Sequence, residues 1–413
     1  MSIASPDLPS ILGLLDVGTS KVVCLVLARC HNAAYAVAGL GHQRSRGLKA
    51  SVIVDADAAE DAIRATIAQA EHMAGTRIED VVIAAACGRL TSTHLAAGLD
   101  LHGRAVTAND MDRLLHAGRS HAERDDHIAL HVNHLGIRID GNAVGHDSIG
   151  RAGRRLEVDV HALSADCAPI RNLLHVIERC QLRTAAILPA PLASALAVTT
   201  AEDRHRGVTV IDFGAGTTSL AVFSGGYPAA AHVIPIGSNH VTYDLMRALG
   251  TSIAEAERIK KKCATLIVAH PAAEAPVPYL SAGDDHASSK QATRADITTI
   301  LTSRIDALLR QISERLHQAA IPSRSCGDLV LTGGGSLLDG LAERASTILG
   351  RPARLAAFLT SGFMPAAVLQ PAFATVIGLE SMTRDRRLGL RLYPNNTMIA
   401  ASSAKQAWQR LGF

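Results

Sequence analysis

The sequence has few aromatic residues, no closely spaced cysteine pair, little excess charge and no long uninterrupted apolar run. Aromatic residues make up 3% of the 413 residues, and the seven cysteines are scattered without a C-x-x-C motif. Scattered thiols in odd number predict a reducing, cytosolic environment rather than a disulfide framework. A net charge of +3 from 41 basic and 38 acidic residues argues against a general nucleic-acid-binding protein.

Signals for membrane insertion or export are also lacking. The longest apolar stretch, residues 11–28, is interrupted by Asp16 and Lys21, so it does not fit a transmembrane helix. Residues 1–10 lack the basic start of a signal peptide. The hydrophobic fraction of 48% excludes global disorder. We therefore expect two or three folded domains in a protein that is soluble or peripheral to a membrane.

An internal duplication organises the chain. Residues 11–27 (ILGLLDVGTSKVVCLVL) and 207–223 (GVTVIDFGAGTTSLAVF) share an apolar run, Asp-x-Gly, small hydroxyl residues and a second apolar run. The two aspartates, Asp16 and Asp212, lie nearly half the chain apart. Each half is thus predicted to begin with a β-hairpin whose tip is rich in Gly, Ser and Thr.

Two such tips facing each other could clamp a polyphosphate. Glycines let backbone N–H groups approach an anion closely, hydroxyls and a lysine add donors, and carboxylates hold Mg²⁺ directly or through its waters. The alternative is two ordinary tight turns, which the matched pair makes less attractive. The candidate residues are Asp16, Gly18, Thr19, Ser20 and Lys21 in the first hairpin and Asp212, Gly214, Gly216, Thr217 and Thr218 in the second.

A third glycine-rich segment supports this hypothesis. Residues 329–336 (LVLTGGGS) predict a buried strand running into a triple glycine and then a helix, where a ligand could contact backbone amides. A plain strand-to-helix turn is the alternative. The P-loop, G-x-G-x-x-G and H-E-x-x-H motifs are all absent.

Apolar periodicity predicts an α/β architecture. Helical patterns cover residues 58–73, 166–183, 293–320 and 337–349, and strands are predicted at 81–86 and 328–331. Residues 271–290 are polar and predict a surface loop. Residues 84–163 contain nine of the 19 histidines and mix short strands with a helix near 109–122, which suggests an inserted domain. Within it, His127, His131 and His134 fit a strand better than a metal site, with His127 and His131 on one face.

These motifs resemble those of the actin/Hsp70/sugar-kinase superfamily, and within it the FtsA family of bacterial cell division. Residues 16–21 and 212–218 resemble the two phosphate motifs, 332–336 the adenosine motif and 373–378 the second connecting helix. Residues 45–47 (SRG), 256–260 (AERIK) and the 84–163 insertion, similar to the family's 1C subdomain, extend the resemblance over essentially the whole chain.

The resemblance implies a two-lobed actin-like ATPase fold, with duplicated ribonuclease-H-like mixed sheets flanked by helices and an inserted α+β subdomain. It implies ATP and Mg²⁺ between the lobes, with Glu257, Lys260 and Lys261 near the ribose and adenine, the triple glycine and Ser336 at the adenosine, and Asp16 and Asp212 near the metal. The implied domains are 1–83 with 164–206 (1A), 84–163 (1C), 207–244 with 306–390 (2A), 245–305 (2B), a linker at 391–401 and a helix at 402–413. The adenosine glycines are Gly333, Gly334 and Gly335.

Three departures from the family pattern bear on catalysis. Ala215 replaces a usual glycine in the second phosphate loop, and Ser219 stands where aspartate is common. Ala190 occupies the position at which hydrolysing relatives carry Glu or Gln to orient water, a task that alanine cannot perform. We therefore expect nucleotide binding with at most weak ATPase activity.

The C-terminal twelve residues, SSAKQAWQRLGF, predict an amphipathic helix that binds an anionic membrane surface. Ala404, Ala407, Trp408 and Leu411 share one helical face, Lys405 and Arg410 lie on the other, and Phe413 ends the chain. From residue 384 onward the chain carries six basic residues and one acidic residue. A helix packed on the protein's own core is the alternative.

The family resemblance implies a cytoplasmic protein, peripheral on the inner membrane at the division site. It implies an actin-like filament that tethers FtsZ through residues near 245–305 and later division proteins through residues 84–163. Two alternatives remain: an actin-like pilus-assembly protein, which would not need the amphipathic tail, and a kinase or Hsp70-like ATPase, for which no convincing catalytic base is present.

Overall fold

A computed structural model describes residues 9–30, 35–123, 126–145, 148–267, 273–282, 289–319, 327–358, 364 and 368–384. The predicted linker and C-terminal helix, with all seven candidate membrane residues, lie outside this range. Among the described residues, no helix is both long and apolar enough to span a bilayer.

A five-stranded sheet forms the core of the first lobe. Its order is β11-β6-β1-β2-β3, with β1, β2 and β3 antiparallel and β6 and β11 parallel to β1. The helices α1 and α3 complete this lobe, and α1 packs against β2 and β3. The elements are β1 (Ile11–Val17), β2 (Lys21–Arg29), β3 (Tyr35–Arg44), the short strands β4 (Leu48–Lys49) and β5 (Val52–Ile53), α1 (Ala56–Ala74), β6 (Asp80–Ala85), α3 (Cys167–Arg179) and β11 (Arg183–Pro189).

The second lobe repeats this arrangement, which confirms the predicted duplication. Its sheet has the order β14-β13-β12-β17-β18, so the hairpin β12–β13 is the counterpart of β1–β2. Asp16 pairs with Ala84 of its parallel neighbour, and Asp212 pairs with Thr332 in the same way. The elements are β12 (Val208–Phe213), β13 (Thr218–Ser224), β14 (Tyr227–Ile234), α6 (Ser238–Leu249), α7 (Ile253–Cys263), β15 (Pro276–Leu280), β16 (Ser289–Thr293), α8 (Arg294–Gln318), β17 (Asp328–Thr332), α9 (Leu341–Leu349) and β18 (Ala353–Leu355).

A separate four-stranded antiparallel sheet lies between β6 and α3 in the sequence, in the region predicted to be an insertion. Its order is β7-β10-β8-β9, and α2 packs on β7, β8 and β10. A capping box between Thr107 and Asp110 starts α2 close to its predicted position. The elements are β7 (Thr91–Asp100), α2 (Ala108–Ala122), β8 (His127–Ile139), β9 (Asn142–Ala143) and β10 (Arg155–Asp166).

The predicted strand at residues 127–137 is confirmed, but its alternation of faces is wrong. β8 carries register shifts against β10, and Leu130 lies opposite no residue of that strand. Such a bulge adds one residue and breaks the two-residue period on which the shared face of His127 and His131 depended. His127 is half-buried beside Asp126 and Asp166, whereas His131 is buried.

Three connecting helices join the lobes: α4 (Ala190–Val198), α5 (Ala201–Arg206) and α10 (Ala374–Arg384). All nine residues of α4 are buried, and α4 packs extensively on α10. The predicted connecting segment at 373–378 is thus placed across the centre of the molecule.

Two predicted elements need correction. The helix predicted at 337–349 begins only at Leu341, because residues Gly334–Leu337 form a 3-10 turn and Gly340 has a φ of +78°, which starts α9 afresh. The loop predicted at 271–290 contains the strand β15, which pairs with β16; Val277 is buried there although its neighbours are polar or proline. Alternating burial on a two-stranded ribbon explains why so polar a segment forms a strand.

Candidate nucleotide-binding site

The two hairpin tips have the same local geometry. The Gly18 N–H donates to the carbonyl of Lys21 at 3.0 Å, which closes the first turn. A Cβ on Gly18 would lie 3.0 Å from that carbonyl oxygen, and one on Gly214 would lie 2.7 Å from the carbonyl oxygen of Thr217. A side chain at this point would be crowded against the first turn and would collide with the backbone of the second.

The tips also meet each other, as the sequence predicted for a clamp. A Cβ on Gly216 would lie 2.4 Å from Oγ1 of Thr19, so the second tip packs directly on the first. Between them lies Ser51, whose N–H donates to Thr19 Oγ1 at 2.9 Å and whose Oγ is 3.4 Å from Thr217 Oγ1. Because Thr19 Oγ1 accepts from a backbone amide, its own proton is available to a ligand.

Both hairpin aspartates are held in a desolvated environment. Burial raises the pKa of Asp16 from 3.8 to about 6; Lys21 acts against this and the charge of Asp212 adds to it. Burial also raises the pKa of Asp212 to about 6, against hydrogen bonds from the hydroxyls of Ser194 and Thr375 and the charge of Lys21. The charge of Asp212 acts on Asp16 and Lys21 interacts with both, so the duplicated carboxylates lie in one site.

Lys21 connects the first hairpin to the turn that precedes α10. Its Nζ donates to the carbonyl of Ala372 and lies 4.2 Å from the ring centroid of Phe373. Burial lowers the pKa of Lys21, while Asp16 and Asp212 act to raise it. The ammonium group thus lies among both carboxylates and the second connecting segment.

The triple glycine packs against the second hairpin. Gly333 has a φ of +82°, and a Cβ there would lie 2.2 Å from Oδ1 of Asp212. A Cβ on Gly335 would lie 2.9 Å from the carbonyl oxygen of Phe213. Ser336 is buried, and its hydroxyl donates to the carbonyl of Gly333 at 2.8 Å, so its proton holds the turn rather than facing the cleft.

The residues predicted near the ribose form a network that ends beside the second hairpin. Lys260 Nζ lies 2.6 Å from Glu257 Oε2 and donates to the Ser238 carbonyl at 3.3 Å. The Ser238 N–H in turn donates to the carbonyl of Gly214 at 2.9 Å. Burial opposes ionisation of Glu257, but hydrogen bonds from Lys260 and Thr242 lower its pKa below the ordinary value.

Lys261 is more peripheral than Lys260. Its Nζ is 3.5 Å from Glu257 Oε1, and 72% of its side chain is exposed. The structure therefore places Glu257 and Lys260 beside the second hairpin and leaves Lys261 at the rim. Ser20, at the first tip, is exposed.

The three departures from the family pattern have clear positions. The carbonyl of Ala215 accepts from the Asn239 N–H at 2.8 Å, and Ser219 is buried opposite Asp212 on β13. Ala190 is buried at the first turn of α4, where its methyl group offers no hydrogen bond.

A polyphosphate with Mg²⁺ fits this donor set. Gly18 and Gly214 are partly exposed and carry no side chain, so a ligand can approach the backbone of both turns. Asp16 and Asp212 provide the oxygen ligands that Mg²⁺ prefers. Thr332 Oγ1, wholly buried next to Asp212, has no hydrogen-bond partner among the described residues. Such an orphaned hydroxyl is typical of a site that a ligand or water completes.

Sequence reasoning missed four residues of this site. Ser51 lies at a turn without Gly, Asn or Pro, so no turn signal pointed to it. Ser194 and Thr375 reach Asp212 from the connecting helices, and Phe373 reaches Lys21. The motif at residues 373–378, which resembles the second connecting helix, was the one sequence signal that could have pointed to Phe373 and Thr375.

Comparison with known families identifies relatives of this chain. The family model "Cell division protein FtsA" matches residues 209–378, and the model "SHS2 domain inserted in FTSA" matches residues 87–164. Curated relatives described as cell division protein FtsA include those of Rhizobium meliloti (34% identity, covering 89% of this chain and 86% of the relative), Neisseria meningitidis (31%, 89% of each) and Escherichia coli K12 (29%, 91% of each).

Solved structures share the fold at low sequence identity. The PilM–PilN type IV pilus biogenesis complex matches with a TM-score of 0.61 at 17% identity, covering 94% of this chain and 100% of that one. MreB5 of Spiroplasma citri bound to ADP matches with a TM-score of 0.55 at 15% identity, covering 90% and 95%. The fold is therefore actin-like and two-lobed, as predicted, with an inserted subdomain. Together with the curated relatives, it establishes that the chain belongs to the FtsA family of cell division proteins.

Proposed function

We propose that this protein is an ATP–Mg²⁺-binding, actin-like adaptor that forms filaments and tethers the FtsZ ring to the inner face of the cytoplasmic membrane. The observation that carries the nucleotide part is the contact of the two duplicated hairpins, with Asp16, Asp212 and Lys21 in one desolvated site. Family membership supports the division role.

In the proposed site each part of the chain has a separate task. The hairpin amides and the hydroxyls of Thr19 and Thr217 bind the phosphates, and Lys21 neutralises their charge. Asp16 and Asp212 hold Mg²⁺, most simply through its waters, and the ion when bound offsets charge on the phosphates. Glu257 and Lys260 fix the ribose side of the ligand. Ala190 cannot orient a water, so ATP acts mainly as a conformational ligand.

A groove between α6 and α8 is our candidate for the FtsZ contact. It has a volume of about 520 Å³ and combines apolar and charged side chains. Across it, Arg304 forms a bidentate pair with Asp244, at 2.5 and 2.9 Å. Its lining residues are Asp244, Arg247, Ala248, Ile300, Ser303, Arg304 and Ala307.

The C-terminal helix is the proposed membrane anchor. Its apolar face carries Trp408 and Leu411, and each basic residue near an anionic surface adds at most about 1 kcal/mol. One short helix binds weakly, but many copies in a filament raise the avidity without new contacts. Residues 84–163 are the proposed contact for later division proteins.

Co-sedimentation with anionic liposomes tests the adaptor function. We expect the full chain with ATP–Mg²⁺ to bring purified FtsZ down with the liposomes, and a chain that ends at Ala401 to leave it in solution. The Arg304→Ala variant should still sediment with the liposomes but should no longer bring FtsZ down with it. Arg310→Ala, on the same helix, is the control: its contact to Asp306 is long, at 3.8 Å, and this variant should still bring FtsZ down.

Co-sedimentation and a measurement of ATP turnover separate the alternative functions. If the full chain and the truncated chain both stay in solution, the amphipathic tail is not an anchor and a pilus-type role gains support. Steady-state ATP turnover above about 1 s⁻¹, the lower end of ordinary enzyme rates, would instead favour a kinase or Hsp70-like ATPase.

A further inference from the structure

The four-stranded sheet of residues 91–166 rests on the edge strand of the second lobe through polar side chains. β14 is at the end of its sheet, where a strand presents backbone groups without a ladder partner on one side. Side chains from β7 and β8 bond to that backbone. The Ser92 Oγ accepts from the Ala231 N–H at 2.9 Å, His94 Nε2 donates to the Ala229 carbonyl at 2.7 Å, and Asn133 Nδ2 donates to the Pro228 carbonyl at 3.1 Å.

His161 of β10, which is fully buried, contacts the side chains that bond to β14. His161 Nδ1 lies 3.2 Å from Asn133 Oδ1, and its Nε2 lies 3.2 Å from Ser92 Oγ. Its ring stacks on His94 with centroids 5.1 Å apart. His161 therefore contacts all three side chains that bond to β14, and we call Ser92, His94, Asn133 and His161 the histidine latch.

The surroundings of the latch favour neutral imidazoles. The titratable groups that act on His161 are His94 of β7, His131 of β8 and His232 of β14, and Arg315 of α8 acts on His232. Burial holds the pKa of His161 well below its ordinary value and lowers that of His131 to about 4. None of these neighbours is a carboxylate that could neutralise a proton gained by His161 or His232.

Two imidazole nitrogens beside the latch lack a hydrogen bond among the described residues: His131 Nε2 and His232 Nε2. A proton on either would introduce a buried charge without an acceptor, which is costly in a protein interior. The surroundings of His131 and His232 therefore favour the neutral imidazole.

We propose that the histidine latch is a proton-sensitive switch, which holds the inserted subdomain on β14 while its imidazoles are neutral and releases it when they become charged. Release would free the subdomain to move and would uncover the backbone of β14. This property is additional to nucleotide, FtsZ and membrane binding and does not depend on them.

The direction of the pH dependence follows from proton linkage. In the released form His131, His161 and His232 return to an ordinary pKa of about 6.5, so release takes up protons. The latch is therefore strongest above pH 6.5 and weakens as the pH falls below it. Each histidine that is neutral in the closed form and free in the open form shifts the equilibrium about tenfold between pH 7.5 and 5.5.

Hydrogen–deuterium exchange of the full chain at these two pH values tests the proposal. After correction for intrinsic exchange rates, we expect the β14 peptide to exchange at least tenfold faster at pH 5.5, while a β17 peptide, central in the same sheet, changes less than twofold. His161→Gln removes one titrating group and should lower the ratio of the β14 exchange rates at the two pH values by up to about tenfold. His116→Gln, on the exposed side of α2, should leave it intact.

A second variant, Ser92→Ala, tests the proposal if His161→Gln does not fold. Ser92→Ala removes a latch contact without removing a titrating group, so β14 should exchange faster at pH 7.5 and keep the same pH dependence. The proposal is overturned if β14 in the wild-type chain is equally protected at both pH values, or if β17 loses protection together with β14.

Discussion

Helices α4 and α10 cross where Gly378 packs directly on the carbonyl oxygen of Ala193. A Cβ on Gly378 would lie 1.6 Å from that oxygen, closer than any side-chain atom can approach. The two connecting helices therefore touch through backbone at this point, in the centre of the larger core.

Gly378→Ala should separate these helices and destabilise the chain. Overpacking a well-filled core costs about 1–3 kcal/mol, and a collision with rigid backbone belongs at the upper end of that range. Urea unfolding measures the change. Gly145→Ala, at an exposed glycine with open space around it, should alter the free energy of unfolding by less than about 0.5 kcal/mol. Equal effects at the two sites would contradict the crossing geometry.

Asp212→Asn should stabilise the nucleotide-free chain while weakening Mg²⁺–nucleotide binding. The pKa of Asp212 is raised to about 6 in the folded state, so its partly desolvated charge lowers stability as the pH rises from about 4 to 6, and the full cost is present at pH 7.5. We expect a gain of about 2 kcal/mol at pH 7.5 and roughly half of that at pH 5. Asn retains an acceptor for the hydroxyls of Ser194 and Thr375.

Urea unfolding at both pH values and ATP–Mg²⁺ titration measure the two effects of Asp212→Asn. Asp61→Asn on the exposed face of α1 serves as the matched control and should change neither. A loss of stability at pH 7.5 would show that the carboxylate is compensated in the folded chain and is not a strained functional group.

Much of the fold was predictable because the duplication repeats a strong local pattern. Apolar strands, Asp-x-Gly tips and the glycine-rich strand end are all consecutive in the sequence, so the hairpins and their pairing followed from local rules. The approximate positions of α1, α2 and α3 followed from the sequence pattern. The start of α9 did not, because the three glycines and Gly340 permit several backbone paths.

Side chains that reach the site from elsewhere in the chain could not be predicted. Thr375 and Ser194 meet Asp212 only because α10 and α4 cross at Gly378, which is a tertiary contact with no local signal. The histidine latch could not be predicted from local sequence either. His94 and His161 become neighbours through the register of β7 and β10, and His94 meets Ala229 through packing between subdomains.

Ser51→Gly should increase stability and keep the contact to Thr19. Ala50 and Ser51 have φ values of +48° and +62°, a conformation that costs residues other than glycine about 1–2 kcal/mol each. Glycine relieves that strain, but the flexibility it adds to the unfolded chain offsets part of the gain, so we expect a net increase of about 0.5–1 kcal/mol in urea unfolding. Ser51→Ala retains the strained φ and should gain nothing.

Nucleotide titration completes the Ser51 comparison. Both variants lose the Oγ contact to Thr217, so ATP affinity should fall by a similar factor in Ser51→Gly and Ser51→Ala. Ala50→Gly relieves strain without removing a hydroxyl and should retain wild-type affinity. An affinity loss in Ala50→Gly would mean that the shape of the turn, rather than the Ser51 hydroxyl, sets binding.

Lys260→Met should weaken ATP binding much more than Lys262→Met. The Lys260 ammonium is largely buried and bridges Glu257 to the Ser238 carbonyl next to the second hairpin, whereas Lys262 is exposed two residues further along α7. Charge-assisted hydrogen bonds contribute about 1.5–3 kcal/mol, so a loss of at least tenfold in affinity is expected for Lys260. The ATP affinity of Lys262→Met should stay within twofold of the wild-type value in the same ATP–Mg²⁺ titration.

A double variant separates the role of Lys260 in binding from its role in packing. In Lys260→Met, Glu257 keeps its charge but loses its principal partner. Adding Glu257→Gln should therefore recover the stability of the chain but not its ATP affinity.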